Sequence, residues 1–168
     1  MKGYTAEADH DYTAKAIGKE MPISPKLTRE VCGLIRGMKV NRAVATLEGI
    51  IALETPVPLR RYNKRVSHKQ GVGPGRYPVK PAKAVLAVLN SAIKNAEYKG
   101  LSADDMFVRT ITASRGRTTP GHMPRAHGRA TQWNQETVNL EVIIENMEVE
   151  SNGSREKIRC RERPQGSP

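Results

Sequence analysis

The sequence predicts an α+β fold on three observations: three helices, an antiparallel strand pair, and one long extended β-hairpin arm. Between residues 24 and 100, three segments repeat their apolar residues at three- and four-residue spacing, the period of a helix with one buried face. From Met106 the period changes to two, in "MFVRTITAS" and "TVNLEVIIE", as half-buried antiparallel strands require. More than twenty residues separate these strands, where a hairpin loop ordinarily takes roughly two to five. The pair is therefore expected to run outward as an arm. A chain of 168 residues allows one domain, expected over residues 1–150. The polar, aperiodic "SNGSREKIRCRERPQGSP" of 151–168 reads as a disordered tail.

Taken in order, "GYTAEA" suggests a short edge strand and residues 11–19 a weak helical turn. The first helix opens with Ser24 as N-cap and Pro25 in its first turn. Leu27, Val31, Leu34, Ile35 and Met38 form its apolar stripe, while Lys26, Arg29, Arg36 and Lys39 fall outside it. Cys32, near the stripe edge, reads as a small core or boundary residue; no partner base lies near it to make a catalytic thiol. "NRAVATLEGIIALE" follows after a short turn, with Asn41 as cap and Val44, Leu47, Ile50 and Ile51 as its apolar face. Two helices so closely joined suggest an αα-hairpin. The third helix starts at Pro81 and stops at Gly100, roughly 18 residues or about 27 Å long. Ala84, Val85, Val88, Leu89, Ala92, Ile93 and Ala96 form its stripe, and its many alanines suggest close packing. In the second strand, Val138, Leu140, Val142 and Ile144 share one face, opposite Asn139, Glu141 and Glu145. With one Phe and one Trp in the chain, Val, Ile, Leu and Met must build the core.

Charge points to the partner. The chain has 28 basic and 17 acidic residues, a formal net charge of +11, which favours a polyanion through counterion release and steering. A membrane-spanning role is excluded, because no apolar run approaches the roughly 20 residues needed. "MKGYTAEADHDYTAKA" has no apolar core of a signal peptide, and two cysteines, Cys32 and Cys160, form no framework. A cytosolic nucleic-acid partner is the expectation that remains.

The basic segment 55–80 carries four prolines, three glycines and no carboxylate up to Pro78, so no long helix crosses it. Arg60, Arg61, Lys64, Arg65, Lys69 and Arg76 are interleaved with Tyr62, His68 and Tyr77, and Lys80 and Lys83 follow. Cations among aromatic planes suit phosphate contact and base stacking. A solvated loop that merely aids solubility is the plainer alternative, but solubility needs neither the aromatics nor the exclusion of carboxylates. "GVGPG" reads as a turn, since it lacks the strand, helix and lysine of a phosphate loop.

The arm stretch "SRGRTTPGHMPRAHGRATQW" belongs to a run, from Met106 to Gln135, that holds Arg109, Arg115, Arg117, Arg125 and Arg129 and no acidic residue. Alone it would be disordered; otherwise a polyanion surrounding it supplies the order. Arginine without lysine favours bidentate phosphate contact and stacking. Pro120-Gly121 and Pro124 are expected to mark the tip, with a reach of roughly 30–40 Å at about 3.3 Å per residue. His122 and His127 suggest base or phosphate contacts; no carboxylate lies nearby to orient them for catalysis or hold a metal. Trp133 sits at the arm's root as an anchor. The chain is therefore expected to be no enzyme, with no catalytic residue, no metal site and no cofactor.

"ISPKLTREVCGLIRGMKVNRAVATLE", "YPVKPAKAVLAVLNSAIKNAEYKGL" and "MPRAHGRATQWNQETVNLEVII" together resemble the universal large-subunit ribosomal protein family numbered twenty-two in the bacterial scheme, over about residues 20–147. The long "PLRRYNKRVSHKQGVGPGRYPVK" segment, residues 58–80, resembles its archaeal and eukaryotic branch. The resemblance implies three helices packed on a small antiparallel sheet, with a hairpin threading large-subunit rRNA and its tip lining the nascent-polypeptide exit tunnel. It implies a cytoplasmic ribosomal location and a role in subunit assembly. The implied partners are large-subunit rRNA, neighbouring large-subunit ribosomal proteins and, near the tip, the nascent polypeptide. Arg125, His127, Gly128 and Arg129 fall on the family's arm motif, placed just after the tip, whereas Arg115 and Arg117 match only as basic residues on the ascending side. "TTPGHM", expected at the tip, is less basic than the bacterial form. The competing reading is a free-standing RNA-binding regulator or RNA-acting enzyme, which needs convergent polar groups in a pocket.

Overall fold

The alternating segment β8 (Gln135–Asn146) forms the middle of a three-stranded antiparallel sheet in the computed structural model, which describes residues 4–6, 12–102 and 106–146. β1 (Thr13–Met21) pairs on one side and β5 (Met106–Thr119) on the other, in the order β1-β8-β5. Leu140, Val142 and Ile144 of β8 join Ala14, Ala16, Met106, Val108 and Ile111 in one buried cluster with the helices, so the predicted apolar face is the core face. Ile143, on the opposite face by strand alternation, is buried as well. On that face Thr5 donates from its N–H and Oγ1 to Glu141 Oε2 at 3.0 and 2.6 Å, and Lys15 Nζ lies 5.6 Å from the Tyr4 ring centroid.

The expected helical turn over 11–19 is corrected: from Thr13 onward the segment is strand β1. Its alanines favour a helix locally, but pairing with β8 and burial of Ala14 and Ala16 override that preference. Small residues are needed here because the third helix crosses close by. A Cβ on Gly18 would stand 2.8 Å from Val88 Cγ2, and Asn95 Nδ2 and Lys99 Nζ each donate to a β1 carbonyl at 2.9 Å. Residues 4–6, the described part of the expected edge strand, form a bend instead. The expected tail 151–168 lies outside the described residues.

Helix α1 (Pro25–Ile35) starts after Ser24 as expected, although the Ser24 side chain makes no capping bond; its carbonyl accepts from the Thr28 N–H at 3.0 Å. Met38 lies past the helix end. There the Gly37 N–H donates to the Val108 carbonyl at 2.8 Å and the Val108 N–H to Met38 at 2.9 Å, which ties the turn to the free edge of β5. Helix α2 (Val40–Ile51) is capped at Lys39, not Asn41, and buries Val40, Ala43, Leu47 and Ile50. Val44 and Ile51 are only half-buried, because the stripe follows residues 40, 43, 47 and 50. Helix α3 (Val79–Tyr98) begins two residues before Pro81 and buries Ala82, Val85, Val88, Leu89, Ala92 and Ala96. The expected αα-hairpin does not form: α1 and α2 pack mainly on α3 and β5 rather than on each other. Cys32 is buried in this core.

Residues 55–78 are more ordered than a loop. β2 (Val57–Pro58), β3 (His68–Lys69) and β4 (Gly73–Arg76) form a small sheet in the order β2-β4-β3. "GVGPG" makes the β3–β4 turn with Gly71 and Gly73 at φ of 74° and 79°, a backbone that glycine adopts without strain. Val57 and Leu59 anchor the segment in the body.

Candidate nucleic-acid interface

Beyond the body, β5 and β8 stay paired from Ser114↔Asn139 to Thr119↔Gln135. β6 (His122–Pro124) and β7 (Ala130–Gln132) then extend the ribbon. Two glycines let the strands close. A Cβ on Gly116 would stand 2.5 Å from Thr137 Oγ1, which donates to the Arg117 carbonyl at 2.7 Å. A Cβ on Gly121 would stand 2.6 Å from the Trp133 carbonyl oxygen. The chain reverses at a 3-10 turn over Ala126–Gly128, where His127 and Gly128 have φ of 58° and 67°; the Arg125 N–H donates to the Arg129 carbonyl at 2.8 Å.

The expected tip is therefore corrected. Pro120-Gly121 and Pro124 lie on the ascending strand side, as does "TTPGHM", and "RAHGR" (Arg125 to Arg129) is the tip itself. Proline interrupts a ladder, but its φ is locked near −65° and cannot supply the left-handed residues that reverse this chain.

No residue from 114 to 136 is fully buried. Arg115, Arg117, His122, Arg125, His127, Arg129 and Trp133 are all exposed, and the four arginines form no ion pair among the described residues; Trp133 lies opposite Gly121 out on the arm rather than anchoring its root as expected. Arg109 is different. It lies in the body, where its guanidinium donates to Glu145 Oε1 at 2.8 Å.

In the second basic segment, Arg60, Arg61, Tyr62, Lys64, Arg65, His68 and Arg76 are exposed and Lys69 is half-buried. Glu30 of α1 holds the segment down: its carboxylate accepts the backbone N–H groups of Arg60 and Arg61, each at 3.3 Å. Tyr77 is half-buried with Lys69 Nζ 5.2 Å from its centroid. Tyr62 is 48% exposed, with Lys26 Nζ at 5.0 Å and the Arg61 guanidinium at 5.8 Å from its ring centroid.

Tyr62 and Lys26 stand between two open cavities. One, of about 200 Å³, is lined by Ser24, Lys26, Leu27, Glu30, Leu59, Tyr62 and Arg76. The other, of about 170 Å³, adds Pro25, Arg29, Ala113 and Arg115 to the same pair. The start of α1, the basic segment and the root of the arm thus meet in one cationic surface. Lys64, Arg65, His68, Lys80 and Lys83 line neither cavity. Lys26 and Arg29 were not among the expected contacts; their position off the apolar stripe of α1 was the available signal.

The Cys32 thiol is pushed up to about 12 by burial, against the opposing pull of the Arg36 charge, so it is no nucleophile. Among the described residues, no group of three or more His, Cys, Asp or Glu is placed to hold a metal ion, and no helix is long and apolar enough to cross a membrane.

The profile of the family described as "Ribosomal protein L22p/L17e" matches residues 16–145. The chain is similar to the "Large ribosomal subunit protein uL22" of Methanothrix thermoacetophila, 54% identical over 134 residues that cover 78% of this chain and 88% of that protein. The protein of the same description from Methanococcoides burtonii is 48% identical over 142 residues, 84% of this chain and 94% of that one. That from Methanocaldococcus jannaschii is 46% identical over 145 residues, with 84% and 93% covered.

Proposed function

The chain belongs to the ribosomal protein L22p/L17e family, and on that premise we propose that it is a structural constituent of the large ribosomal subunit in the cytoplasm, held by large-subunit rRNA. The observation that carries this reading is the arm. Its backbone is self-paired, none of its side chains from 114 to 136 is fully buried, and its four arginines, unpaired among the described residues, are exposed on β5 (Arg115, Arg117) and on either side of the tip turn (Arg125, Arg129). Residues 114–127 span about 40 Å at roughly 3.3 Å per residue. Phosphate around such a ribbon satisfies the guanidinium groups left unpaired among the described residues.

Arg115, Arg117, Arg125 and Arg129 are assigned phosphate contacts, and His122, His127 and Trp133 contacts to base or sugar. The segment from Arg60 to Arg76, with Lys80 and Lys83, forms a second contact from the body. The tip at Ala126–Gly128 is assigned to the wall of the exit tunnel, beside the nascent polypeptide, and the body to contacts with neighbouring large-subunit proteins. We assign no catalytic role. Sucrose-gradient fractionation of cell extract tests the reading: the chain should co-sediment with the large subunit and remain there through a moderate salt wash. Recovery only in the free-protein fractions would overturn it.

A further inference from the structure

We propose that the cavity between α1 and the basic segment receives one unstacked RNA nucleotide, guanosine by preference, with its base against Tyr62 and its phosphate toward Lys26 and Arg76. The inference rests on the rRNA-binding reading and adds to it a defined subsite. At about 200 Å³ the cavity is below the roughly 300–1,000 Å³ of a drug-sized site. Its chemistry is divided as a nucleotide is divided. Leu27 and Leu59 supply apolar walls, Tyr62 supplies a half-exposed ring, and Lys26 and Arg76 supply two cations. Nothing in the fold requires an aromatic ring at that spot: Tyr62 is not part of the buried core, and its ring stays 48% exposed beside the Lys26 and Arg61 cations. Stacking on such a ring is the common way proteins hold a splayed base.

Glu30 sets the base preference. It is the one carboxylate lining the cavity, and the backbone N–H groups of Arg60 and Arg61 fix its orientation at 3.3 Å. Each of its oxygens accepts one of these bonds and, when ionised, can accept another. A carboxylate there repels a second anion and rewards a donor edge. Guanine presents two adjacent donors, N1–H and the N2 amino group. Uracil presents one N–H between two carbonyl oxygens, which a carboxylate disfavours. Lys26 and Arg76 then serve the phosphate that Glu30 excludes from the cavity floor.

The test has two arms. In the first, the full-length chain is titrated with GMP, UMP and inorganic phosphate and followed by NMR at the Leu27 and Leu59 methyls and the Tyr62 ring. GMP should shift all three saturably and bind at least about fivefold tighter than UMP; phosphate should leave the methyls unmoved. Tyr62→Ala should weaken GMP binding by about tenfold or more, the loss expected of one stacked base, and Tyr62→Phe should restore it to within about twofold. Equal binding of GMP and UMP, or a response to phosphate alone, would overturn the proposal. In the second arm, the chain bound to large-subunit rRNA is irradiated and digested, and the Tyr62 peptide is searched by mass spectrometry for a guanosine adduct. Adducts on arm peptides with none on the Tyr62 peptide would leave rRNA binding intact and refute the subsite, even if free GMP binds. Loss of all RNA adducts would instead strike at the rRNA reading itself.

Discussion

Replacing Arg115, Arg117, Arg125 and Arg129 together with Gln should cut the salt dependence of RNA binding by a calculable amount. All four are exposed and none is paired among the described residues, so each is available to neutralise one phosphate. Every phosphate neutralised contributes roughly 0.7–0.9 to the slope of log affinity against log salt concentration, so four contribute about 3. Between about 50 and about 200 mM salt, that slope is worth about 50- to 150-fold in affinity. Filter binding of the full-length chain to large-subunit rRNA across that range gives the measurement. The variant should lose affinity at low salt and approach the wild-type value as salt rises. Its melting temperature should stay near the wild type, since surface changes away from packed contacts usually fall within about 0.5 kcal/mol. Arg109→Gln is the internal control: its guanidinium is already committed to Glu145 at 2.8 Å, so the slope should hold. An unchanged slope in the fourfold variant, or an equal fall in Arg109→Gln, would refute the assignment of phosphate contacts to the arm.

Two further outcomes follow from single residues. In a Cys160→Ser chain, Cys32 should resist alkylation in the native state and react fully in denaturant. Because burial raises the Cys32 thiol from its ordinary value near 9 to about 12, the unfolded chain loses that proton first as pH rises, and this group's contribution to stability should fall between about pH 9 and about pH 12; rapid native labelling at pH 8 would show the site is open. Gly121→Ala should part the arm strands locally, since the new Cβ meets the Trp133 carbonyl oxygen at 2.6 Å, opposite the bond in which the Trp133 N–H donates to Gly121 at 2.6 Å. Fluorescence of Trp133, the chain's single tryptophan, should change while melting of the body does not, and an unaltered spectrum would contradict the close approach.

What the sequence made legible was whatever local periodicity decides. Helix α3 and strand β8 were readable because their apolar residues repeat without interruption and their burial follows the repeat. Strand β1 was not, because its alanines carry a helical preference and only the distant β8 makes it a strand. The small β2-β4-β3 sheet was hidden for the same reason: two of its strands have two residues each and pair across a proline- and glycine-rich segment. The arm's existence was legible from the long separation of its two strands, and its cationic partner-facing character from the missing carboxylates, but its tip was not. Prolines drew the eye to Pro120 and Pro124, whereas reversal depends on His127 accepting a left-handed backbone beside Gly128, and a lone His-Gly pair announces that weakly. The two basic segments were legible as separate candidates. Their meeting at Tyr62, with Lys26, Arg29 and Arg115 drawn in from α1 and the arm root, is a consequence of packing.

That meeting explains how an arm without a core keeps a direction. A two-stranded ribbon is marginal by itself in water, and slipping its register by one residue would turn every side chain to the opposite face. Here the register is fixed at the root. Ile111 and Leu140 are buried in the body's core, Arg36 of the turn after α1 donates to the Ile111 carbonyl at 2.9 Å, and the bulge between Arg115 and Thr118 is locked by Thr137. The body therefore aims the arginines by itself, and on the proposed reading rRNA supplies the contacts that the arm's own residues do not make. On that reading aim comes from hydrocarbon and affinity from phosphate, which fits an arm with no fully buried side chain over residues 114–136 whose first body-facing residues are among the most completely buried of those described.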